Sequence, residues 1–305
     1  MHSAGYGDAN PSEPRHAEAP PSLGWHSRRG RKRGSSRLPA DNRCIRAALL
    51  FDLDETLVDE ASAAADAFEA TAAFAASEAR GAVDPTLLVA AVRAQARELW
   101  SMSPVSDYCA GIGISSTEGL WCRFEGDHPI TQALRRWAAV YREAAWASAL
   151  AAQGLSDGGL AETLAERFAS ERRVRHRIFP DVAGTLSRLR KHYRLGLITN
   201  GASCLQWEKI DRCGLRRFFD VIVVSGDFGV GKPDSSIFRH ALARFPGSLK
   251  DAVMLGDSIG SDIDGAQSVG LRAIWVNRLH HQRPPDRPAL REVVTLADAE
   301  ALLVS

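Results

Sequence analysis

The sequence has no long hydrophobic run and no excess of charge of one sign. No apolar stretch approaches the ~20 residues needed to cross a bilayer, so we do not expect an integral membrane protein. Lysine and arginine total 38 against 37 aspartates and glutamates, and a net charge of +1 gives no general attraction to nucleic acid or membranes. At 305 residues and 45% hydrophobic, the composition predicts a soluble globular chain with one core, or a core with an insertion.

Cysteine is scarce and scattered. The chain has five cysteines, and no two are spaced as CxxC: Cys44, Cys109, Cys122, Cys204 and Cys213. This distribution predicts neither a disulfide framework nor a zinc site, and it favours a reducing cytoplasm as the location.

Periodic apolar residues are absent from residues 1–44, which are rich in proline, glycine, serine and arginine. Such a segment cannot offset the entropy of ordering, so we expect a disordered basic tail there. Its basic run, from His26 to Gly34, is the only hint of nucleic acid as a partner, and we do not expect that partner. No apolar stretch of sufficient length follows the Arg28 and Arg29 pair, so we do not expect twin-arginine export.

Five short apolar runs predict buried parallel strands, because each is nearly continuous rather than alternating. The runs are Ala47–Phe51, Leu195–Thr199, Val221–Val224, Ala252–Leu255 and Ala273–Val276. Helical patterns lie before and between the last four of these apolar runs, at Val182–Tyr193, Gln206–Cys213, Ser235–Ala243 and Ile263–Val269. Strands alternating with helices predict the α/β class with a doubly wound, Rossmann-like parallel sheet.

The alternation breaks once, between the first and second strands, which are separated by roughly 140 residues, far more than a crossover needs. Helical patterns fill this insert at Glu60–Arg80, Pro85–Trp100, Thr131–Ala152 and Leu160–Arg173. The sequence therefore predicts three parts: the tail at 1–44, a catalytic core at 45–58 and 177–305, and a helical subdomain inserted at 59–176.

Two acid pairs follow predicted strands. Asp52 and Asp54 follow the first strand, and Asp257 and Asp262 follow the fourth. Ligands of a doubly wound sheet bind beyond the carboxyl ends of its strands, where all four carboxylates would meet. A hard divalent cation such as Mg²⁺ is a natural reason for that convergence. The alternative for Asp262 is a cap on the following helix, which is compatible with a metal at Asp257.

Two further signals lie at neighbouring strand ends. Thr199, Asn200 and Gly201 end the second strand, where a hydroxyl and backbone N–H groups suit phosphate oxygens, although an Asn-Gly turn is the alternative. Lys232 lies in a Gly-Lys-Pro loop before a helix. A lysine there would offset carboxylate repulsion and stabilise charge on a transferring phosphoryl group, although alone it is a weak signal.

Together these four motifs resemble the haloacid-dehalogenase-like superfamily, whose pattern is DxDxT, a strand ending in Thr or Ser, a Lys, and GDxxxxD. The resemblance covers about 45 to 280, and the long insert lies where that superfamily has its α-helical cap. LITNG at 197–201, Gln206, Lys209 and the Gly-Lys-Pro loop are similar to the N-acylneuraminate-9-phosphatase and nucleotidase-like branch.

The resemblance implies a Mg²⁺-dependent phosphohydrolase that forms an aspartyl-phosphate. It implies Asp52 as the nucleophile, Asp54 as general acid and then base, and Lys232 as the charge-balancing catalytic residue. Phosphate oxygens would be held by Thr199, Asn200, Gly201 and Lys232. Mg²⁺ would be bound by Asp52, the backbone carbonyl of Asp54, Asp257 and Asp262. Glu55 occupies a variable position of the family motif.

The resemblance implies a small phosphorylated metabolite as substrate, such as a sugar phosphate or nucleoside monophosphate. We expect a monomer or a homodimer. The second aspartate, Asp54, argues against dehalogenase activity. A phosphomutase of the β-phosphoglucomutase kind and a non-catalytic binding module remain alternatives. Specificity would depend on the cap, and we expect candidate contacts in the non-helical segments Ser101–Gly113 and Glu118–Asp127. The second segment holds Trp121, Arg123 and Asp127. These side chains could instead belong to the core of the cap and to a surface ion pair.

Overall fold

The computed structural model describes residues 47–245 and 251–304, which lie in one compact unit. The predicted disordered tail, 1–44, lies outside the described residues. Among the helices of the described part, none is long and apolar enough to cross a membrane.

A six-stranded parallel sheet in the order β3-β2-β1-β4-β5-β6 confirms the predicted α/β fold class. The strands are β1 Ala47–Phe51, β2 Arg194–Thr199, β3 Val221–Val224, β4 Asp251–Gly256, β5 Arg272–Val276 and β6 Glu292–Val293. The first five match the predicted runs to within one residue at each end. The sixth strand was not predicted, because two residues are too few to show a pattern.

Burial of both sheet faces explains the continuous apolar runs. Ala48 and Leu50 pack into a hydrophobic cluster on one face, while Leu49 and Phe51 pack into a second cluster on the other. Because successive strand residues point to opposite faces, every position in β1 must be apolar.

Helices cover these faces and connect the strands. They are α7 Val182–Leu189, α8 Ser203–Arg212, α9 Ser225–Phe228, α10 Ser235–Ala243, α11 Gly265–Ser268 and α12 Leu296–Val304, with a 3₁₀ turn at Arg216–Phe218 and a π-helical turn at Ile259–Asp264.

The suggested cap at Asp262 is wrong, because the helical turn already begins at Ile259. Ser258 caps that turn by accepting a hydrogen bond from the Ser261 N–H.

The insert between β1 and β2 forms the predicted helical cap. Its helices are α1 Glu60–Glu78, α2 Pro85–Ser101, α3 Ser106–Ile112, α4 Ser116–Gly119, α5 Pro129–Ala151 and α6 Gly158–Arg173. The prediction that Ser101–Gly113 is non-helical is wrong, because α3 occupies most of it. The helix is short and ends at Gly113 with φ +79°, so it shows little periodicity. The predicted boundaries of the three parts stay a prediction.

A third hydrophobic cluster forms the cap core, around Phe68, Trp146 and Phe168, whose rings lie 4.3 to 6.4 Å apart. Trp121 is completely buried in the same cluster, so it is core rather than a substrate platform. Arg123 forms an exposed ion pair with Glu125, as in the alternative that the sequence left open.

Gly196 marks a point where β2 tolerates no side chain. A Cβ there would lie 2.7 Å from Leu50 Cδ2 and 2.7 Å from Phe245 Cζ. We expect Gly196→Ala to lower the free energy of unfolding by about 1–3 kcal/mol through overpacking, measured by denaturant titration.

Gly158→Ala provides the control, because a Cβ at Gly158 meets nothing within 4 Å. Adding Phe245→Leu to Gly196→Ala should recover part of the loss. A Gly196→Ala protein as stable as the wild type would contradict the close approach of Phe245 to β2.

Candidate active site

The side chains predicted to be functional converge at the carboxyl ends of β2, β1 and β4, which are neighbours in the sheet. Asp52 follows β1, Thr199 ends β2, and Asp257 follows β4. These residues line a cavity of about 470 Å³, a volume suited to a small metabolite. The cap contributes part of the wall, including Ser115 and Thr117.

Lys232 is the centre of the first charge cluster. Its Nζ donates to Asp52 Oδ1 and, at 2.7 Å, to Asp262 Oδ1. Burial raises the pKa of Asp52 to about 6, although the nearby Lys232 opposes the rise. Burial alone would lower the pKa of Lys232, but the carboxylates of Asp262 and Asp52 outweigh burial and raise it. The lysine is therefore held charged although only 5% of it is exposed.

Asn200 holds the Lys232 backbone. The Asn200 Nδ2 donates to the Lys232 carbonyl at 2.8 Å, and the Lys232 N–H donates to Asn200 Oδ1 at 2.8 Å. Gly231 permits this contact, since a Cβ there would lie 2.8 Å from Asn200 Oδ1. The structure thus gives the Asn200 side chain a positioning task, beside the phosphate contact predicted for this loop.

The other two residues of this loop that were predicted to bind phosphate, Thr199 and Gly201, differ in the hydrogen bonds that they already form. Thr199 lines the cavity, and its Oγ1 lies 3.5 Å from the Asn200 carbonyl. The Gly201 N–H donates at 2.9 Å both to the Ile112 carbonyl of the cap and to Ser225 Oγ. The N–H of Gly201 is therefore engaged in fixing the cap against this loop.

Asp257 and Asp262 lie beside Asp52. One carboxylate oxygen from each of the three lies within 4.8 Å of the others. Gly256 allows this approach, because a Cβ there would lie 2.3 Å from Asp262 Oδ2. Burial raises the pKa of Asp257 to about 9, and Asp52 and Asp262 add to the rise. Three crowded carboxylates with one lysine favour binding of a divalent cation, and all-oxygen donors fit Mg²⁺.

Asp262 is the least available of these donors. Its Oδ1 accepts from Lys232, and its Oδ2 accepts from the Ser258 N–H at 3.0 Å. The carboxylate of Asp54 does not belong to this group of three acids. The Mg²⁺ ligand predicted at Asp54 is its backbone carbonyl and not this carboxylate.

A second buried charge cluster surrounds Asp54. Lys209, with no exposed surface, donates to both Asp54 carboxylate oxygens at 3.1 and 3.0 Å. The same Nζ reaches Glu118 Oε1 at 3.2 Å and Glu60 Oε2 at 3.4 Å. Gln206 Nε2 donates to Asp54 at 3.3 Å and to Glu118 at 3.0 Å. Asp54 is thereby tied to the cap helices that carry Glu60 and Glu118.

This second cluster holds three carboxyls, Asp54, Glu60 and Glu118, and two cations, Lys209 and Arg172. Burial raises the pKa of Asp54 and of Glu118, with Lys209 opposing in each case. For Glu60 burial also raises the pKa, but Lys209 and Arg172 outweigh it and lower the value overall. Because three carboxyls face only two cations, the cluster favours the binding of one proton, at Asp54 or at Glu118.

Sequence reasoning did not identify Glu60 or Arg172 as site residues, and it named Glu118 only as the start of the candidate contact segment Glu118–Asp127. Glu60 was recognised only as the start of a helix, although it follows the acid pair closely. Glu118 and Arg172 lie in the cap, where no spacing relates them to the strand-end motifs. Lys209 and Gln206 were named only through the family resemblance.

Glu55 has an unusual backbone conformation, with φ +58°. Its Oε1 accepts a hydrogen bond from the Ala61 N–H, while its buried Oε2 has no partner. Burial raises the pKa of Glu55 to about 7. A left-handed position explains why a residue such as glycine or asparagine suits this site.

The chain is similar in sequence to characterised phosphatases. The chain is 36% identical over 245 residues to a phosphoserine phosphatase of Thermus thermophilus, which covers 80% of this chain and 94% of that protein. It is 41% identical over 108 residues to the N-acylneuraminate-9-phosphatase of Mus musculus, spanning 35% of this chain and 44% of the relative. The predicted class of phosphoric monoester hydrolase and the resemblance to that branch are both confirmed.

Solved structures share the fold. The HAD-hydrolase YfnB from Bacillus subtilis, described as bound to magnesium, matches with a TM-score of 0.58 and 21% identity, over 85% of this chain and 98% of that one. A 2-haloacid dehalogenase from Pseudomonas syringae matches with a TM-score of 0.51 and 28% identity, over 85% and 98%. Residues 47–270 match the haloacid dehalogenase-like hydrolase family, and the chain belongs to that family.

Proposed function

We propose that this protein is a Mg²⁺-dependent phosphohydrolase that removes phosphate from a small metabolite through an aspartyl-phosphate on Asp52. The convergence of Asp52, Lys232, Asp257 and Asp262 at one sheet edge, beside Asp54, carries this proposal.

Asp52 attacks phosphorus in the first step. Its Oδ1 accepts a hydrogen bond from Lys232, whose positive charge opposes the rise in the pKa of Asp52 and so favours the ionised carboxylate. As the new O–P bond forms, the bond from phosphorus to the substrate oxygen breaks. Asp54 gives its proton to that leaving oxygen, and the burial that raises the pKa of Asp54 favours the protonated form this step requires.

Asp54 acts as a base in the second step. Its carboxylate takes a proton from water, and the water oxygen attacks the phosphorus of the acyl-phosphate. Inorganic phosphate leaves, and the Asp52 carboxylate is restored. Lys209 and Gln206 hold Asp54 in one orientation during both steps.

Asp52, Asp257 and the Asp54 carbonyl would hold Mg²⁺, with Asp262 in support. When bound, Mg²⁺ would balance the charge of the phosphoryl group and of the surrounding carboxylates. Thr199 and the loop that follows it would hold phosphate oxygens.

Asp54 also distinguishes the alternatives. A halide leaves without a proton, so the buried network of Lys209, Gln206 and Glu118 around Asp54 would have no use in a dehalogenase. A phosphomutase would use the same groups, and the position of the phosphate in the product distinguishes it.

Phosphoserine, the substrate named for the Thermus thermophilus relative, is the first compound to assay. The cytoplasmic location and the monomer or homodimer state stay predictions.

Replacing the nucleophile tests the covalent step. We expect Asp52→Asn to abolish Mg²⁺-dependent hydrolysis of p-nitrophenyl phosphate while the thermal unfolding temperature stays close to that of the wild type. Asparagine keeps the shape of the side chain but is not a competent nucleophile. Chelation of Mg²⁺ should likewise abolish wild-type turnover. Substantial activity in Asp52→Asn, with deamidation excluded by mass spectrometry, would remove Asp52 from the mechanism.

Replacing the general acid tests its two tasks separately. We expect Asp54→Asn to slow hydrolysis of an alkyl phosphate by about 10²-fold or more. Transfer of phosphate from p-nitrophenyl phosphate to Asp52 should be less affected, because that leaving group needs little protonation. Acid quenching should then reveal accumulated aspartyl-phosphate, since the second step lacks its base. Equal rate losses for both substrates with no trapped intermediate would contradict this role.

Glu118 should matter because it holds both partners of Asp54. We expect Glu118→Gln to lower kcat for an alkyl phosphate by roughly tenfold, since Lys209 and Gln206 lose a charged acceptor. The loss for p-nitrophenyl phosphate should be smaller. Glu125→Gln, an exposed change in the same loop region, serves as the control. Equal losses for both substrates would assign Glu118 a purely structural role.

A further inference from the structure

One cation on the cavity wall has no carboxylate partner within the described part of the chain. The cavity is lined by three cationic side chains, Lys209, Lys232 and Arg93. Both lysines are buried and ion-paired. Arg93 is exposed, and no ion pair joins it to a described carboxylate. The charge of Arg93 is therefore available to a ligand in the cavity.

Arg93 is held in place by an aromatic ring rather than by an acid. It extends from α2, and its guanidinium carbon lies 4.9 Å from the centroid of the Phe68 ring on α1. A cation–π contact restrains the side chain but satisfies none of its N–H donors. These donors can still bind an anionic group.

The neighbouring cavity wall leaves room for such a group. Ala61 and Ala64 line the cavity from the face of α1 that also carries Phe68, and their side chains are single methyl groups. Thr117 also lines the cavity. Asp52 and Lys232, where the phosphate must be placed for the reaction, line the same cavity.

We propose that the substrate carries a carboxylate remote from its phosphate and that Arg93 binds this carboxylate. The planar guanidinium matches a carboxylate with two parallel hydrogen bonds, which a neutral hydroxyl cannot provide. This inference rests on the proposed function, and it favours phosphorylated hydroxy acids or amino acids over neutral sugar phosphates and nucleosides. Arg93 is then the residue that selects the class of substrate.

Matched pairs of phosphomonoesters test this inference. Glycerate 3-phosphate and glycerol 3-phosphate differ by a carboxylate in place of a hydroxymethyl group, and phosphoserine and phosphoethanolamine differ by a carboxylate. We expect the wild type to prefer the carboxylate member of at least one pair in kcat/KM. Arg93→Gln should lower that preference by about tenfold or more, mainly through KM. Arg93→Lys should restore part of the preference.

Arg97→Gln is the matched control, because Arg97 is an exposed arginine one turn along α2 that does not line the cavity. Arg97→Gln should leave the preference unchanged. No preference in the wild type, or the same preference in Arg93→Gln, would overturn the inference. Turnover of p-nitrophenyl phosphate with no turnover of any carboxylate member would also overturn it. Failure of the wild type to hydrolyse any monoester with Mg²⁺ would instead contradict the proposed function.

Discussion

The active site depends on a buried ammonium group held between two carboxylates. Lys232 donates to Asp52 and Asp262, and all three side chains are almost inaccessible to water. Removing Lys232 from this cluster would leave its buried carboxylates without a balancing charge, which costs several kcal/mol. The Lys232 loop must therefore lie against the ends of β1 and β4, and the Asn200 side chain fixes it there from the end of β2.

Each of the two buried clusters lacks positive charge, and each deficit indicates a different partner. Around Lys232, three carboxylates face one cation, and their oxygens are close enough to share a divalent metal. Around Lys209, three carboxyls face two cations, so a single proton balances the charge. The first deficit fits the proposed Mg²⁺, and the second fits a general acid at Asp54. Neighbouring carboxylates of one motif thus acquire different chemistry from their surroundings.

The sequence predicted what lies on the strands better than what lies in the cap. The five strands are recognisable because burial of both faces requires unbroken apolar runs, and the strand-end position of Asp52 and Asp257 follows from the parallel sheet. The Lys209 cluster could not be predicted, because Glu118 reaches it through tertiary packing of the insert and not through any sequence period. The engagement of the Gly201 N–H with the cap could not be predicted either, since a backbone contact leaves no mark in the sequence.

These cap contacts connect the inserted helices physically to the proposed catalytic groups. The carbonyls of Gly111 and Ile112, at the end of α3, accept hydrogen bonds from the N–H groups of Gly231 and Gly201. One cap segment is thus bonded to the lysine loop and to the loop after β2. A few residues later Glu118 contacts Lys209 and Gln206, the two partners of Asp54. This one segment of the cap therefore joins the two loops around Lys232 and the buried partners of Asp54.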